Sequence, residues 1–252
     1  MILLIDAGNT RIKWALAGAG AAPGQWHASG CVAHADLEQL PRQWRTALGG
    51  RTPRRALLSN VAGAAMRERL LRALPAELLA GAIVWFASLA QLAGLRNGYR
   101  DPAQLGCDRF AAAIGARALA PGQAILVANC GTATTIDAIT ADGLFLGGMI
   151  LPGLGLMAAS LARNTAQLPR IEERAAPPAR FADNTDDAIL SGCLAAQAGA
   201  IERAFAAHDG AALCIVSGGA APLIAPVLAL PHRLVDNIVL IGLHAAAREE
   251  TC

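Results

Sequence analysis

The chain has little charge, few aromatic residues and almost no lysine. Of 252 residues, 16% are charged, 4% are aromatic, and Lys13 is the single lysine. The formal net charge is only +2, and no basic stripe or helix-turn-helix pattern accompanies it, so no nucleic-acid partner is expected. Six cysteines, at 31, 107, 130, 193, 214 and 252, contain no C-x-x-C pair, and no histidines stand at zinc-finger spacing. A zinc site is therefore not expected. The start lacks a charged segment followed by an apolar signal core, so a cytoplasmic location with free thiols is expected. The uncharged run from Ala211 to His232 is interrupted by Gly218-Gly219, Pro222, Pro226 and Pro231. It reads as a strand, a turn and a short buried helix rather than a membrane span. What the chain does have is apolar surface to bury: 54% of its residues are hydrophobic. That excludes disorder and supplies core for one large domain or two small ones.

Period and turn residues place the elements. Residues 2–6 and 11–17 read as the strands of a hairpin with a turn at 7–10. Further strands are predicted near 56–61, 82–87, 124–130, 136–140, 144–151 and 212–217, the last leading into "SGG". Helices are predicted near 66–79, interrupted by Pro75, from Asp108 onward, over 153–168, and from Thr185 to His208. The tail from 234 reads as a strand leading into a last helix, and the charged, proline-rich segment 170–181 as a flexible loop. A polar residue and a glycine turn between two strands occur twice, at "DAGNTRIKWAL" and at "NCGTATTIDAI". This layout predicts two related α/β domains facing each other across a cleft. The boundary is expected at 112/113, with the last helix packing back on the first domain.

Several stretches carry candidate chemistry. In "DAGNT", Gly8 admits close backbone approach, and Asn9 and Thr10 add donors suited to phosphate oxygens. Asp6 repels phosphate unless a divalent cation lies between them, which is how Mg²⁺ is commonly held. Lys13, on the returning strand, can point at the same phosphates. An ordinary hairpin turn uses the same residues. "GTATT" (131–135) is a second donor-rich turn, although its threonines also suit a strand. In "GYRDPAQLGCDRF" (98–110), Asp108 is either a helix cap or an acid able to accept a proton from a substrate hydroxyl beside Arg109. Gly147 is expected to serve packing, Gly153 is open between packing and a ligand, and "SGG" (217–219) suits a nucleoside against bare backbone or a plain turn. Thr185 is expected to cap the long helix, with Asp186 and Asp187 in its first turn.

In order, "DAGNT", "N-G-Y-x-x-P-x-x-L-G-x-D-R", "GTATT-x-D", "GG-x-I-x-P-G", "T-x-x-A-I-x-S-G" and a late "GG" resemble type III pantothenate kinases over nearly the whole chain. The resemblance implies the actin-like ATPase fold: two ribonuclease-H-like α/β domains with mixed sheets flanked by helices, and usually a homodimer. It implies ATP-dependent phosphorylation of pantothenate, the first step of coenzyme A synthesis, with Mg²⁺ accompanying ATP. By position, Asp6, Ala7, Gly8, Asn9, Thr10, Arg11, Ile12 and Lys13 would form the first phosphate loop, Asp6 also at the metal, and Thr132 would contact ATP from the second. Asp108 would be the general base. Tyr99, Gly106, Cys107, Asp108, Arg109 and Thr185 would line the substrate pocket, Thr185 from the partner subunit. Two other readings compete: a kinase of the same superfamily with another acceptor, and a non-enzymatic accessory protein of the same fold.

One position departs from the resemblance. The family commonly has Asp two residues before the glycine of "GTATT", where it binds K⁺ or NH₄⁺; here the residue is Asn129. An amide oxygen still coordinates a monovalent cation, but the full negative charge is gone. Activity is therefore expected to depend more weakly on whether KCl, NH₄Cl or NaCl is present, or the site to be completed by other oxygens. A strict requirement for low-millimolar K⁺ contradicts this expectation.

Overall fold

The computed structural model describes residues 1–18, 20–76, 78, 82–164 and 176–249. Its strands in chain order are β1 (Ile2–Ala7), β2 (Arg11–Ala17), β3 (Ala28–Ala33), β4 (Arg55–Asn60), β5 (Ile83–Trp85), β6 (Gln91–Leu92), β7 (Leu95–Asn97), β8 (Ala124–Cys130), β9 (Ala133–Ile139), β10 (Leu144–Pro152), β11 (Ala211–Ser217) and β12 (His232–Leu234). Its α-helices are α1 (Leu40–Leu48), α2 (Ala64–Ala73), α3 (Cys107–Leu119), α4 (Leu154–Asn164), α5 (Thr185–Ala206), α6 (Ala221–Ile224) and α7 (Ile238–Glu249). The chain divides into two compact units, residues 1–121 with 237–252, and residues 122–236. The expected boundary at 112/113 falls inside α3, all of which belongs to the first unit. The tail also returns to that unit: α7 packs on α3 and on β1, β2 and β4. A boundary inside α3 would split a helix whose Phe110–Ile114 run is buried.

Each unit is a mixed sheet with helices against it. In the first, the order is β3-β2-β1-β4-β5. β2 is antiparallel to β1 and β3, whereas β4 is parallel to β1 and β5. In the second, the order β10-β9-β8-β11-β12 repeats that plan strand for strand. There β9 is antiparallel to β8 and β10, and β11 is parallel to β8 and β12. The repeat glimpsed in two glycine turns thus extends to strand order and direction. β1 and β8 are central and nearly wholly buried, so both are continuous apolar runs rather than alternating ones.

The period of two along β1 separates a structural face from a chemical one. Leu3, Ile5 and Ala7, with Ile12, Trp14, Leu16, Ala56 and Leu58, form one core with Leu40 and Trp44 of α1 and Met66 and Leu70 of α2. The opposite face carries Leu4 and Asp6, and α3 and α7 pack on it. The second unit's core joins Leu126, Ala128 and Cys130 to α5 residues Leu190, Leu194 and Ile201.

Several local expectations change. Thr134 and Thr135 belong to β9, so the second turn is confined to Gly131 and Thr132. The partner strand β8 holds them in register, Thr135 opposite Asn129. Gly147 has a φ of +140° with nothing close to a Cβ built there, so it serves backbone conformation at a break in the β9–β10 register, not packing. Asn184, not Thr185, caps α5: its Oδ1 accepts from Asp187 N at 3.0 Å. α3 begins at Cys107 with Gly106 as cap residue, which places Asp108 in the first turn and frees it from capping. β3, the β6–β7 hairpin and α1 had no expected counterpart. Residues 170–175 of the expected loop and 165–168 of the expected helix lie outside the described residues. Among the described residues, no helix is long and apolar enough to cross a membrane.

Candidate active site

The first unit gathers Asp6, Lys13, Ser59, Cys107 and Asp108. Residues opposite one another on neighbouring strands project to the same face of a sheet. Asp6 is opposite Lys13 across the antiparallel β1–β2 pair and opposite Ser59 across the parallel β1–β4 pair. The carboxylate therefore stands between an ammonium and a hydroxyl at the end of the central strand. The start of α3 comes to the same place: Ser59 Oγ is 3.4 Å from Cys107 Sγ, and that thiol donates to Asn60 O at 3.8 Å.

Burial governs the protonation of this group. Asp6 is raised to about 7, first by burial and then by the negative charge of Asp108; Lys13 and a hydrogen bond from Ser59 pull it back down. Its Oδ1 is buried and has no hydrogen-bond partner. Burial also raises Asp108, opposed by the Arg109 N–H, which donates to Asp108 Oδ1 at 2.8 Å, and by the Arg109 guanidinium. Burial likewise pushes the Cys107 thiol up, so it is a neutral packing and hydrogen-bonding group here, not a nucleophile. A buried carboxylate with an orphaned oxygen, next to a second carboxylate, fits a divalent cation that would replace the proton and satisfy that oxygen.

The remaining residues of the middle motif have identifiable tasks. Asn97 Oδ1 accepts from Tyr99 N at 3.1 Å and its Nδ2 donates to Pro102 O at 3.1 Å, which folds the segment that presents Tyr99. Tyr99 OH accepts from Arg109 Nη1 at 2.8 Å, and the guanidinium lies 5.7 Å from the tyrosine ring centroid. Arg109 is only 6% exposed, so its charge is held within the fold by this partner and the start of α3. A Cβ on Gly106 would come 2.8 Å from Asp108 Oδ1. Glycine there leaves room for the carboxylate in its observed orientation.

At the first turn, Gly8 N–H donates to Arg11 O at 3.1 Å and Gly8 O accepts from His34 Nε2 at 2.8 Å. Asn9, Thr10 and Arg11 are exposed, whereas Ala7 and Ile12 have their side chains in the core. Only the backbone of those two can face a ligand at this turn.

In the second unit, Asn129 stands opposite Thr135 on β9 and Ser217 on β11, the counterpart of Asp6 between Lys13 and Ser59. Thr135 Oγ1 is buried without a hydrogen-bond partner, and buried Asp137 lies two residues further along the same face. Neutral oxygens in this arrangement suit a weakly hydrated monovalent cation better than Mg²⁺. Thr132 is exposed at the turn. The turn is gripped from two sides: Thr132 O accepts from Gly153 N at 3.0 Å and Cys130 O accepts from Ala220 N at 3.0 Å. A Cβ on Gly153 or on Gly218, whose φ is +98°, would overlap the turn's backbone. Gly153 is thus a packing residue. Thr185 is exposed at the start of α5. Ser59 and His34 were not singled out from sequence; Asn97 stood in the N-G-Y motif and Ser217 in "SGG", but neither was given a role of its own.

The raised Asp6 has a consequence for stability. A carboxylate whose folded-state value exceeds its unfolded one contributes stability that is fully present below about 4 and lost as pH rises through about 7. Without nucleotide or Mg²⁺, Asp6→Asn removes this loss. Its denaturation midpoint should gain on the wild type across that window and run parallel above it. Parallel profiles throughout the window contradict the assignment.

Comparison with known proteins supplies the family. A family model described as type III pantothenate kinase matches residues 2–207. Type III pantothenate kinase of Herminiimonas arsenicoxydans is 56% identical, over 98% of this chain and 97% of that protein. The one from Aromatoleum aromaticum is 49% identical over 99% of both. Among solved structures, a Campylobacter jejuni protein provisionally described as a Baf family transcriptional activator is similar, with a TM-score of 0.59 and 19% identity over 99% of this chain and 98% of that one. Component A of (R)-2-hydroxyglutaryl-CoA dehydratase from Acidaminococcus fermentans has a TM-score of 0.55 and 13% identity over 98% and 96%. These two likenesses concern the fold, that of two actin-like units with mixed sheets flanked by helices. With a family model spanning most of its length and relatives above half identity end to end, the chain belongs to the type III pantothenate kinase family.

Proposed function

We propose that the protein transfers the γ-phosphoryl group of ATP to the hydroxyl of pantothenate, giving 4′-phosphopantothenate, the first step of coenzyme A synthesis. The observation that carries this is the convergence of Asp6 and Asp108 in one unit, coupled by charge, in a chain whose relatives carry this activity in their names. Asp108 is the general base. It accepts the hydroxyl proton as the alcohol oxygen bonds to the γ-phosphorus and the bond to the ADP oxygen breaks. Burial raises its affinity for that proton, and the Arg109 N–H steers one oxygen and leaves the other for substrate. Lys13 and the backbone of the Gly8–Thr10 turn hold the phosphates, and Thr132, exposed at the turn of the second unit, is a further contact for ATP. Asp6 holds Mg²⁺, which when bound neutralises phosphate charge. Arg109 and Tyr99, with Gly106 and Cys107, shape the pantothenate site. Asn129, with the Thr135 and Ser217 hydroxyls, is the monovalent-cation site. The reaction is cytoplasmic.

Asp108→Asn should lower kcat by roughly 10²–10⁴-fold in an assay of ADP release, with ATP binding and thermal midpoint close to wild type. A rate within a few fold of wild type rules out the general-base role. The same assay on the wild type, with sugars or no acceptor in place of pantothenate, should show no turnover.

We further propose a homodimer, with Thr185 of one copy completing the pantothenate site of the other. Leu146, Met149 and Ile150 of β10 are 50%, 50% and 65% exposed, and Leu156 and Leu161 of α4 are 42% and 43% exposed. Large apolar side chains left exposed on β10 and α4 are the material of a contact surface. Sedimentation should find a dimer, and Ile150→Glu should convert it to monomer with loss of turnover. A fully active monomer would overturn the assignment.

A further inference from the structure

We propose that His34 is a positioning residue that sets the orientation of the Gly8–Asn9 peptide for nucleotide phosphates. The inference rests on the reading of that turn as the first phosphate loop. No motif covers residue 34; two contacts bring it to the turn and a third anchors it to α2. His34 Nε2 lies 2.8 Å from Gly8 O, and since a carbonyl only accepts, Nε2 carries the proton. His34 N–H donates to Thr10 O at 3.4 Å. On its other side, Arg69 Nη2 of α2 donates to His34 O at 2.8 Å. His34 is also the first residue of a short 3₁₀ segment, 34–39, kinked at Asp36, that follows β3 directly, and Ala33 is in register with Arg11. The imidazole therefore ties the turn to a residue whose backbone is itself anchored to β3 and α2.

A trans peptide has its C=O and N–H pointing in opposite directions, and none of the described peptides is cis. Fixing the Gly8 carbonyl on His34 thus fixes the Asn9 N–H on the far side of the same plane, away from the imidazole. Gly8 has a wide choice of backbone angles and gives no intrinsic resistance to rotation of that plane. The hydrogen bond from His34 supplies the missing constraint. It presents a pre-oriented donor to phosphate, in a turn whose Asn9, Thr10 and Arg11 are exposed. His34 touches no reacting atom, so its effect falls on nucleotide binding, not on pantothenate.

The test compares wild type, His34→Ala and His34→Gln. The readouts are calorimetric binding of the Mg²⁺ complex of the imido-bridged ATP analogue, KM for both substrates, and thermal midpoint. Glutamine can place an amide N–H near the position of Nε2. His34→Ala should weaken analogue binding and raise KM for ATP about tenfold, with KM for pantothenate unchanged and the midpoint little moved. His34→Gln should recover most of the loss. The proposal is overturned if His34→Ala binds the analogue within twofold of wild type. It is also overturned if glutamine is no better than alanine, or if both substrates lose affinity together with the midpoint. A wild type that binds the analogue but never phosphorylates pantothenate would end the functional reading alone, and the binding series would still decide the role of His34.

Discussion

The burial of the Asp6 carboxylate at the end of a central strand is the constraint from which the rest of the site follows. A carboxylate removed from water is costly unless it is paired, protonated or metal-bound. Lys13 and Ser59 offset part of that cost from the neighbouring strands, while Asp108 adds to it from α3. The balance leaves Asp6 near neutrality in its titration and one oxygen without a partner. A site held in this state would gain stability from a divalent cation arriving with phosphate.

The two units show how one plan is turned to two electrostatic ends. In each, a buried central strand pairs antiparallel with its hairpin partner and parallel with a strand that brings a serine to the critical register. Asp6 has Lys13 and Ser59 beside it; Asn129 has Thr135 and Ser217. The first set is charged and suited to a divalent cation and phosphate. The second is neutral apart from Asp137 further along the face, and suited to donors and a weakly held ion. The turns beyond these strands are short and are braced from outside. The first leans on His34, and the second is gripped by Gly153 and by the Gly218–Ala220 segment. Bracing matters because a two- or three-residue turn cannot hold its own peptide planes against rotation. Pre-oriented donors bind phosphate without reorganisation at the moment of reaction.

Much of this was legible in the chain itself. The apolar runs of β1, β8 and β11, the two glycine turns, the start of α3 and the long α5 follow from local pattern, as do Asp6, Lys13, Asp108 and Arg109 as candidates. Local propensity misassigned what the neighbours decide. Thr134 and Thr135 went to a turn because threonine and glycine were read together, whereas pairing with β8 puts them in a strand. Asp108 looked like a cap because it is an acid before an apolar helix; the helix begins one residue earlier, and its cap position is Gly106.

The sequence by itself determined the kinds of element, the twofold plan and the acids and donors available, because these rest on periods and turn chemistry within a few residues. Only the tertiary structure decided which of them meet. Ser59 reaches Asp6 through a parallel pairing with a strand about fifty residues away, and His34 reaches Gly8 across a gap of 26 residues. Parallel register is set by which apolar faces can be covered together, and that competition is settled over the whole chain rather than at any one position.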